Sequence, residues 1–242
     1  MKLNKSFHSI PNRIIFDLDN TIYSYETAHR PAIEHLLIRF SQILHLSTES
    51  TVELWNASRK EVKRRLGDSG SSHSRLIYIL EVLRRFHPGV DLKVALELEA
   101  AYWKVYFEEM KLYPNLHDFL QQVKLCNIEK ILVTDLTAYI QIKKLVHLGL
   151  ENFFDYVITS EEVGGDKITD KPWSLLNELC VGNAQGVDWY IGDSCFDFNK
   201  NYRNPTDSVF MKVDGDLDLE SVGIGVTVFK NYSELIDCLG HR

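Results

Sequence analysis

The chain has no closely spaced cysteines. Cys126, Cys180, Cys195 and Cys238 are scattered, without the short paired spacings of a metal knuckle. Cys195 is flanked by acids, which raise a thiol pKa and disfavour the nucleophilic thiolate, so it is not read as a nucleophile. A basic excess is also missing, since 27 Lys and Arg against 34 Asp and Glu leave a formal charge of −7. That balance gives no electrostatic footprint for nucleic acid or an anionic membrane. Any anionic substrate must therefore be met by local cations. No apolar run has the length of a membrane span and no secretory leader is evident, so a reducing cytoplasm is the expected setting. Internal repeats and low-complexity linkers are absent too. The 242 residues, 45% of them hydrophobic, suit one large domain or a core carrying an insertion.

What is present is concentrated first in Arg13-Ile-Ile-Phe-Asp17-Leu-Asp19-Asn20-Thr21, an apolar run ending on two carboxylates two residues apart. Such a run reads as a buried parallel strand. Ligands of open α/β sheets bind at the carboxyl ends of the strands, so Asp17 and Asp19 are expected in a crevice. Two close carboxylates repel by about 4 kcal/mol at an effective surface dielectric. A hard cation relieves that repulsion, and magnesium takes one or two carboxylates while keeping waters and phosphate oxygens. The competing reading is a polar turn after a strand.

Between this strand and the next, the pattern is helical. Ile33, Leu36, Leu37, Phe40, Ile43 and Leu44 keep helical spacing from about Pro31 to Leu46, and further helices are expected near 49–66, 74–86 and 91–111. Beyond Tyr113-Pro114, helices alternate with apolar runs at Lys130–Thr134, Tyr156–Thr159, Val187–Ile191, Val209–Val213 and Val226–Phe229. Alternation predicts an α/β fold, a Rossmann-like, doubly wound parallel sheet. The four helices form an inserted block. The boundaries implied are 1–23 and 112–242 for the catalytic core and 24–111 for the helical cap.

Later strand ends supply more polar groups. Thr134 closes one run with a hydroxyl able to donate to a phosphate oxygen. Lys171-Pro172 stands at a helix start, where proline is favoured, and its lysine can neutralise an anion. Gly192-Asp193 follows another run, with Asp197 four residues on. These two carboxylates suit a metal, while Asp193 as a helix cap is the alternative.

In this order, Asp17-Leu-Asp19-Asn20-Thr21, Thr134, Lys171-Pro172 and Gly192-Asp193 with Asp197 resemble the four motifs of the haloacid dehalogenase superfamily, in particular its phosphatases with a helical cap after the first strand. The resemblance extends to Leu112-Tyr-Pro114 and Ser160-Glu-Glu-Val-Gly164. It implies that Asp17 attacks phosphorus to form an aspartyl-phosphate, and that Asp19 protonates the leaving oxygen and then activates water. Thr134 and Lys171 would hold phosphoryl oxygens, with Asn20 and Asp135 beside the substrate. Asp17, the backbone carbonyl of Asp19, and Asp193 would bind Mg2+, supported by Asp197. Asp19 also sets the chain apart from the dehalogenase branch, which lacks a second acid there.

Two departures stand out. Asp135 occupies a position where relatives carry asparagine; its carboxylate either turns from the phosphate or binds a substrate amine or hydroxyl. The segment Gly164–Pro172 is longer than usual, so Lys167 keeps the family spacing from Glu162-Val-Gly164 while Lys171 keeps the Lys-Pro signature. The signature favours Lys171. An up-down-up-down cap would return the connection Gly67–Arg75 to the active-site edge, where His73 and Arg75 are expected to contact the leaving group. The preceding Lys63-Arg64-Arg65 run reads either as part of that wall or as a solvated helix end. The expected reaction is magnesium-dependent hydrolysis of a small phosphorylated metabolite, such as a sugar, polyol or amino-alcohol phosphate, by a monomer or homodimer. A pyrimidine-type nucleotidase of the same chemistry and a non-catalytic binding protein are the alternatives.

Overall fold

The structure, a computed structural model, describes residues 10–86, 89, 91–180, 186–198, 206–214 and 225–239. Six strands form one parallel sheet: β1 (Arg13–Phe16), β2 (Glu129–Thr134), β3 (Tyr156–Thr159), β4 (Asp188–Gly192), β5 (Ser208–Lys212) and β6 (Val226–Phe229). Their order is β3-β2-β1-β4-β5-β6, with every neighbouring pair parallel. Side chains alternate across a strand, and both faces here are apolar. Ile14, Phe16, Leu132, Trp189, Ile191 and Phe210 enter one hydrophobic cluster. Ile15, Ile131, Val133, Tyr190, Val209 and Met211 enter the other. Each fully buried side chain of this kind is worth about 1.5–3 kcal/mol relative to exposure, so the strand register is fixed from both sides.

Four helices separate β1 from the rest: α1 (Tyr25–Leu44), α2 (Thr48–Leu66), α3 (Arg75–Phe86) and α4 (Leu92–Glu109), with a 3-10 turn at Gly70–His73. The chain enters and leaves this insert side by side. Tyr23 bridges Leu112 in antiparallel sense, and the Tyr113 amide donates to the Ile22 carbonyl at 3.0 Å. Helix α1 begins six residues before the expected Pro31 start. Ser24 caps it by accepting from the Thr27 amide, and Ala28, Ala32, Leu36, Phe40 and Leu44 form its buried stripe. Two of those residues are alanines, which carry little hydrophobic signal, so the start is set by the cap and the proline is carried inside the helix. Helix α1 packs on α4 and α2 on α3. Trp55, Val62, Tyr78, Tyr102 and Tyr106 of the insert belong to the same cluster as one face of the sheet.

The remaining helices are α5 (Leu116–Leu125), α6 (Ala138–His147), α7 (Ser160–Val163), α8 (Lys171–Leu179) and α9 (Tyr232–Leu239). No described helix is long and apolar enough to cross a membrane. The carboxyl ends of β1, β2 and β4 lie together below the insert, where open sheets of this strand order place their ligands.

Candidate active site

The end of β1 sends its two acids into different surroundings. The Asp17 amide still pairs with the Ile191 carbonyl of β4 at 2.9 Å, so the residue is held by the sheet itself. Its carboxylate is buried, accepting from the Thr21 hydroxyl at 3.0 Å and from Lys167 Nζ at 2.5 Å. Burial raises the Asp17 pKa well above the usual carboxylate range; Lys167 opposes this, while Asp197, Asp193 and Asp19 add to it. Asn20 then adopts a left-handed backbone, φ 62°, a conformation asparagine tolerates better than most residues. Its side chain accepts from the Tyr25 amide at 2.9 Å and donates to Asp193 at 3.2 Å, tying the turn to both α1 and the end of β4. Asp19 turns toward Lys144 Nζ, at 2.6 Å, and accepts from the Tyr23 hydroxyl. Burial would raise its pKa, but the charge and hydrogen bond of Lys144, with help from Tyr23, hold it below the usual range.

Thr134 ends β2 beside these acids and accepts from Gln141 Nε2 at 2.5 Å. Asp135 accepts from the Lys167 amide at 2.8 Å and so helps to shape the loop that carries Lys167. That loop overturns the expectation for Lys171. Lys171 is exposed, and its Nζ donates to the Gly164 carbonyl at 2.7 Å. Lys167 instead is buried, with its Nζ on both Asp17 and Asp197. Burial disfavours its charge, but Asp17, Asp197 and Asp135 keep it protonated. The Lys-Pro pair marks where α8 begins, and the first residue of a helix need not face the crevice that the preceding loop enters.

Gly192 closes β4 where a Cβ would meet the Asp197 side chain at 2.5 Å. The missing side chain is what lets Asp197 fold back beneath the strand end. Asp197 Oδ2 accepts from the amides of Asp193 and Ser194, and Ser194 caps the short 3-10 turn Cys195–Asp197. Asp193 therefore does not cap that turn. Asp17, Asp193 and Asp197 each offer an oxygen within 4.8 Å of the others. Burial and the neighbouring Asp197 push the Asp193 pKa up to about 6. Three crowded, hard oxygen donors fit a small divalent cation. The Asp19 side chain is not in that group.

The insert closes the crevice from above. Where Gly70 lies, a Cβ would stand 2.6 Å from the Glu161 amide nitrogen and 2.7 Å from the Leu136 carbonyl. The turn Gly70–His73 can thus rest directly on the core. The Asp166 amide donates to the Asp68 carbonyl at 3.2 Å, and His73 Nε2 lies 2.9 Å from Asp166 Oδ2. Between insert and core lies a cleft of about 330 Å³, walled by Asp17, Asp19, Thr134, Asp135, Lys167 and Asp193 below and by Tyr25, Arg59, Lys63, His73, Arg75 and Tyr78 above. All the expected site residues except Lys171 line this cleft.

Lys144, Tyr23 and Gln141 were not among the expected residues. In α6, Ile140, Gln141, Lys144 and Leu145 are the buried residues, so a lysine in the apolar stripe of an amphipathic helix was the available signal for Lys144. Gln141, a polar residue in the same stripe, carried a weaker form of that signal, and Tyr23 carried none.

Residues 14–204 match the family described as haloacid dehalogenase-like hydrolase. A ribulose-1,5-bisphosphate 5-phosphatase of Halopiger xanaduensis is 36% identical over 155 residues, 64% of this chain and 65% of that protein. The matched stretch thus spans a little under two thirds of that relative. A glyceraldehyde 3-phosphate phosphatase of Methanopyrus kandleri is 32% identical over 185 residues, 74% of each chain. Among solved structures, a HAD phosphatase from Thermococcus onnurineus aligns with a TM-score of 0.67 at 21% identity, covering 95% of this chain and 98% of that one. A HAD-hydrolase of Bacillus subtilis, YfnB, solved with magnesium bound, aligns at 0.64 and 17% identity, covering 96% and 100%. At these identities the structural likeness shows the fold, while the family match spans most of the sequence: the chain belongs to the haloacid dehalogenase-like hydrolases.

Proposed function

We propose that the chain is a magnesium-dependent phosphatase that hydrolyses a small sugar phosphate through an aspartyl-phosphate on Asp17. One observation carries this reading: at the cleft floor Asp17 is paired with a buried lysine and two further acids, while Asp19, two residues on, is held apart by Lys144 and Tyr23. A carboxylate nucleophile divides a difficult hydrolysis into two steps, and phosphoryl transfer asks the protein mainly for alignment and charge neutralisation. Thr134 and Lys167 orient the phosphoryl oxygens. The substrate binds as its monoanion and its proton passes to the Asp19 carboxylate. An oxygen of Asp17 attacks phosphorus as the bond to the sugar oxygen breaks, and Asp19 gives that oxygen the proton. Asp19, ionised once more, then takes a proton from a water whose oxygen attacks phosphorus and releases inorganic phosphate from Asp17. Asp17, Asp193 and the Asp19 backbone carbonyl, with Asp197 in support, would hold magnesium, which supplies charge neutralisation for the phosphoryl group. The names of the two relatives support a sugar phosphate as substrate. The proposal takes the chain to work in the cytoplasm, as a monomer or homodimer.

The test is phosphate release from triose, pentose and hexose phosphates and from nucleotides, with magnesium and with a chelator. Release from one or more sugar phosphates that stops on chelation is expected. Release confined to nucleotides would move the substrate class, and no release from any phosphomonoester would overturn the proposal.

A further inference from the structure

The upper wall of the cleft gathers three cations, Arg59, Lys63 and Arg75. Arg59 and Lys63 lie one turn apart on α2, both exposed and both lining the cleft. Their neighbours on the same helix are paired, Arg64 with Glu61 at 2.7 Å and Arg65 with Glu81 at 3.3 Å. Among the described residues, neither Arg59 nor Lys63 forms an ion pair, and neither does Arg75. Arg75 is the more unusual case, being only 7% exposed. Its guanidinium donates to the Tyr102 hydroxyl at 3.2 Å, the His73 carbonyl at 2.8 Å and the Tyr25 hydroxyl at 2.6 Å. None of those acceptors carries a charge, because burial holds the phenols of Tyr25 and Tyr102 above their ordinary pKa.

A buried charge is ordinarily paired, since leaving water without a counter-charge is costly. Like charges gathered on one wall repel as well: burial, then Arg59 and Arg75, lower the Lys63 pKa, with Asp166 and Asp68 offsetting them only in part. Asp166 meets this wall at His73, 2.9 Å away, but among the described residues no acid forms an ion pair with its three cations. Asp17, Asp19 and Asp197 lie on the floor, engaged with Lys167 and Lys144. The arrangement has acids below and, above, three cations that form no ion pair among the described residues.

We propose that Arg59, Lys63 and Arg75 form a second anion site, which takes the distal phosphate of a substrate carrying phosphate groups at both ends. The inference rests on the phosphatase reading, in which the scissile phosphate occupies the floor. A phosphate monoester carries close to two negative charges at neutral pH and three acceptor oxygens, which matches two arginines and a lysine better than a single carboxylate does. A cleft of about 330 Å³ lies in the range of pockets that enclose small ligands. The two walls would then grip opposite ends of one short chain, with the carbon backbone spanning the gap.

The probes are pentane-1,5-diol bisphosphate, 5-phosphooxypentanoate and pentyl phosphate, which share a five-carbon spacer and differ only at the far end. The protein carries Arg59→Gln and Lys63→Gln together, both on the exposed side of α2, so the fold is not at stake. The wild type is expected to prefer the bisphosphate, with kcat/KM falling to the carboxylate and again to pentyl phosphate. In the variant the bisphosphate-to-pentyl ratio is expected to fall about tenfold to a hundredfold, the scale of a lost charge-assisted hydrogen bond, mainly through KM. A wild type indifferent to the far end, or a variant that loses equally on all three, would overturn the proposal. A wild type preferring the carboxylate would overturn the assignment to phosphate.

Calorimetric binding of the bisphosphate and of pentyl phosphate to Asp17→Asn separates this from turnover. The second anion site requires tighter binding of the bisphosphate there, and loss of that difference when Arg59→Gln and Lys63→Gln are added. Failure of the wild type to hydrolyse 4-nitrophenyl phosphate with magnesium would instead strike the phosphatase reading, while hydrolysis of it without bisphosphate selectivity would strike the second site alone.

Discussion

At the residue scale, four positions separate a lysine on the floor of the cleft from one on the surface. Lys167 lies against Asp17 and Asp197, whereas Lys171 bonds a loop carbonyl. Lys167→Ala is expected to lower kcat/KM on 4-nitrophenyl phosphate by about 10²-fold or more, the scale of removing one preorganised charge-stabilising group. Lys171→Ala is expected to change it by less than about threefold, in line with a surface position. The reverse ranking would return the phosphate contact to Lys171. Sequence spacing made both lysines visible, but no sequence signal says which way the side chain of a helix's first residue turns. Asp17, Asp19, Asp193 and Asp197 were more legible, because acids at the ends of buried strands have few places to go. The partners that divide Asp17 from Asp19 were not, since Lys144 and Tyr23 reach Asp19 through the packing of α6 and the start of the insert.

At the scale of elements, the site depends on the seating of the turn Gly70–His73 on the core. A side chain at Gly70 would press on the Glu161 backbone and the Leu136 carbonyl, neither of which can move as a flexible side chain would. Gly70→Ala is expected to destabilise the protein by about 1–3 kcal/mol, the usual cost of overpacking, read as a lower denaturation midpoint at unchanged m-value. It is also expected to damage hydrolysis of the preferred sugar phosphate more than that of 4-nitrophenyl phosphate, because His73 and Arg75 follow the turn. Equal stability and unchanged selectivity would mean that the turn does not hold the upper wall. The strands were readable to within about a residue at each end, since both faces of β1, β2, β4 and β5 are buried and their apolar runs are continuous. Helix α1 was read short because Ala28 and Ala32 hide its buried stripe and Pro31 imitates a start.

Over the whole molecule, one cleft sets Asp17, Asp19 and Asp193 on one wall against Arg59, Lys63 and Arg75 on the other, and its crowded acids link metal binding to stability. In the metal-free protein the Asp193 pKa is pushed up to about 6 by burial and Asp197. Between the unfolded carboxylate range and pH 6 the native state therefore binds more protons than the unfolded state, and stability falls as pH rises through that window. A cation competes with those protons. The rise in Tm on adding magnesium is accordingly expected to be large at pH 7.5 and to shrink toward zero by pH 4. A magnesium effect independent of pH would place the ion elsewhere.

The insertion of four helices into an α/β sheet was legible at this scale because the change from helical period to alternating helix and strand is abrupt. The role of Arg59 was not, since a basic residue on an exposed helix face looks the same in sequence whether it is solvated or faces a cleft. The central claim remains that Asp17 carries the phosphoryl group. Its most direct measurement is rapid acid quenching of the protein with magnesium and a radiolabelled sugar phosphate that it hydrolyses, followed by peptide mapping. The account expects hydroxylamine-labile label on the peptide containing Asp17 in the wild type, and no label and no turnover in Asp17→Asn. Turnover that persists in Asp17→Asn, or label on a different residue, would contradict it.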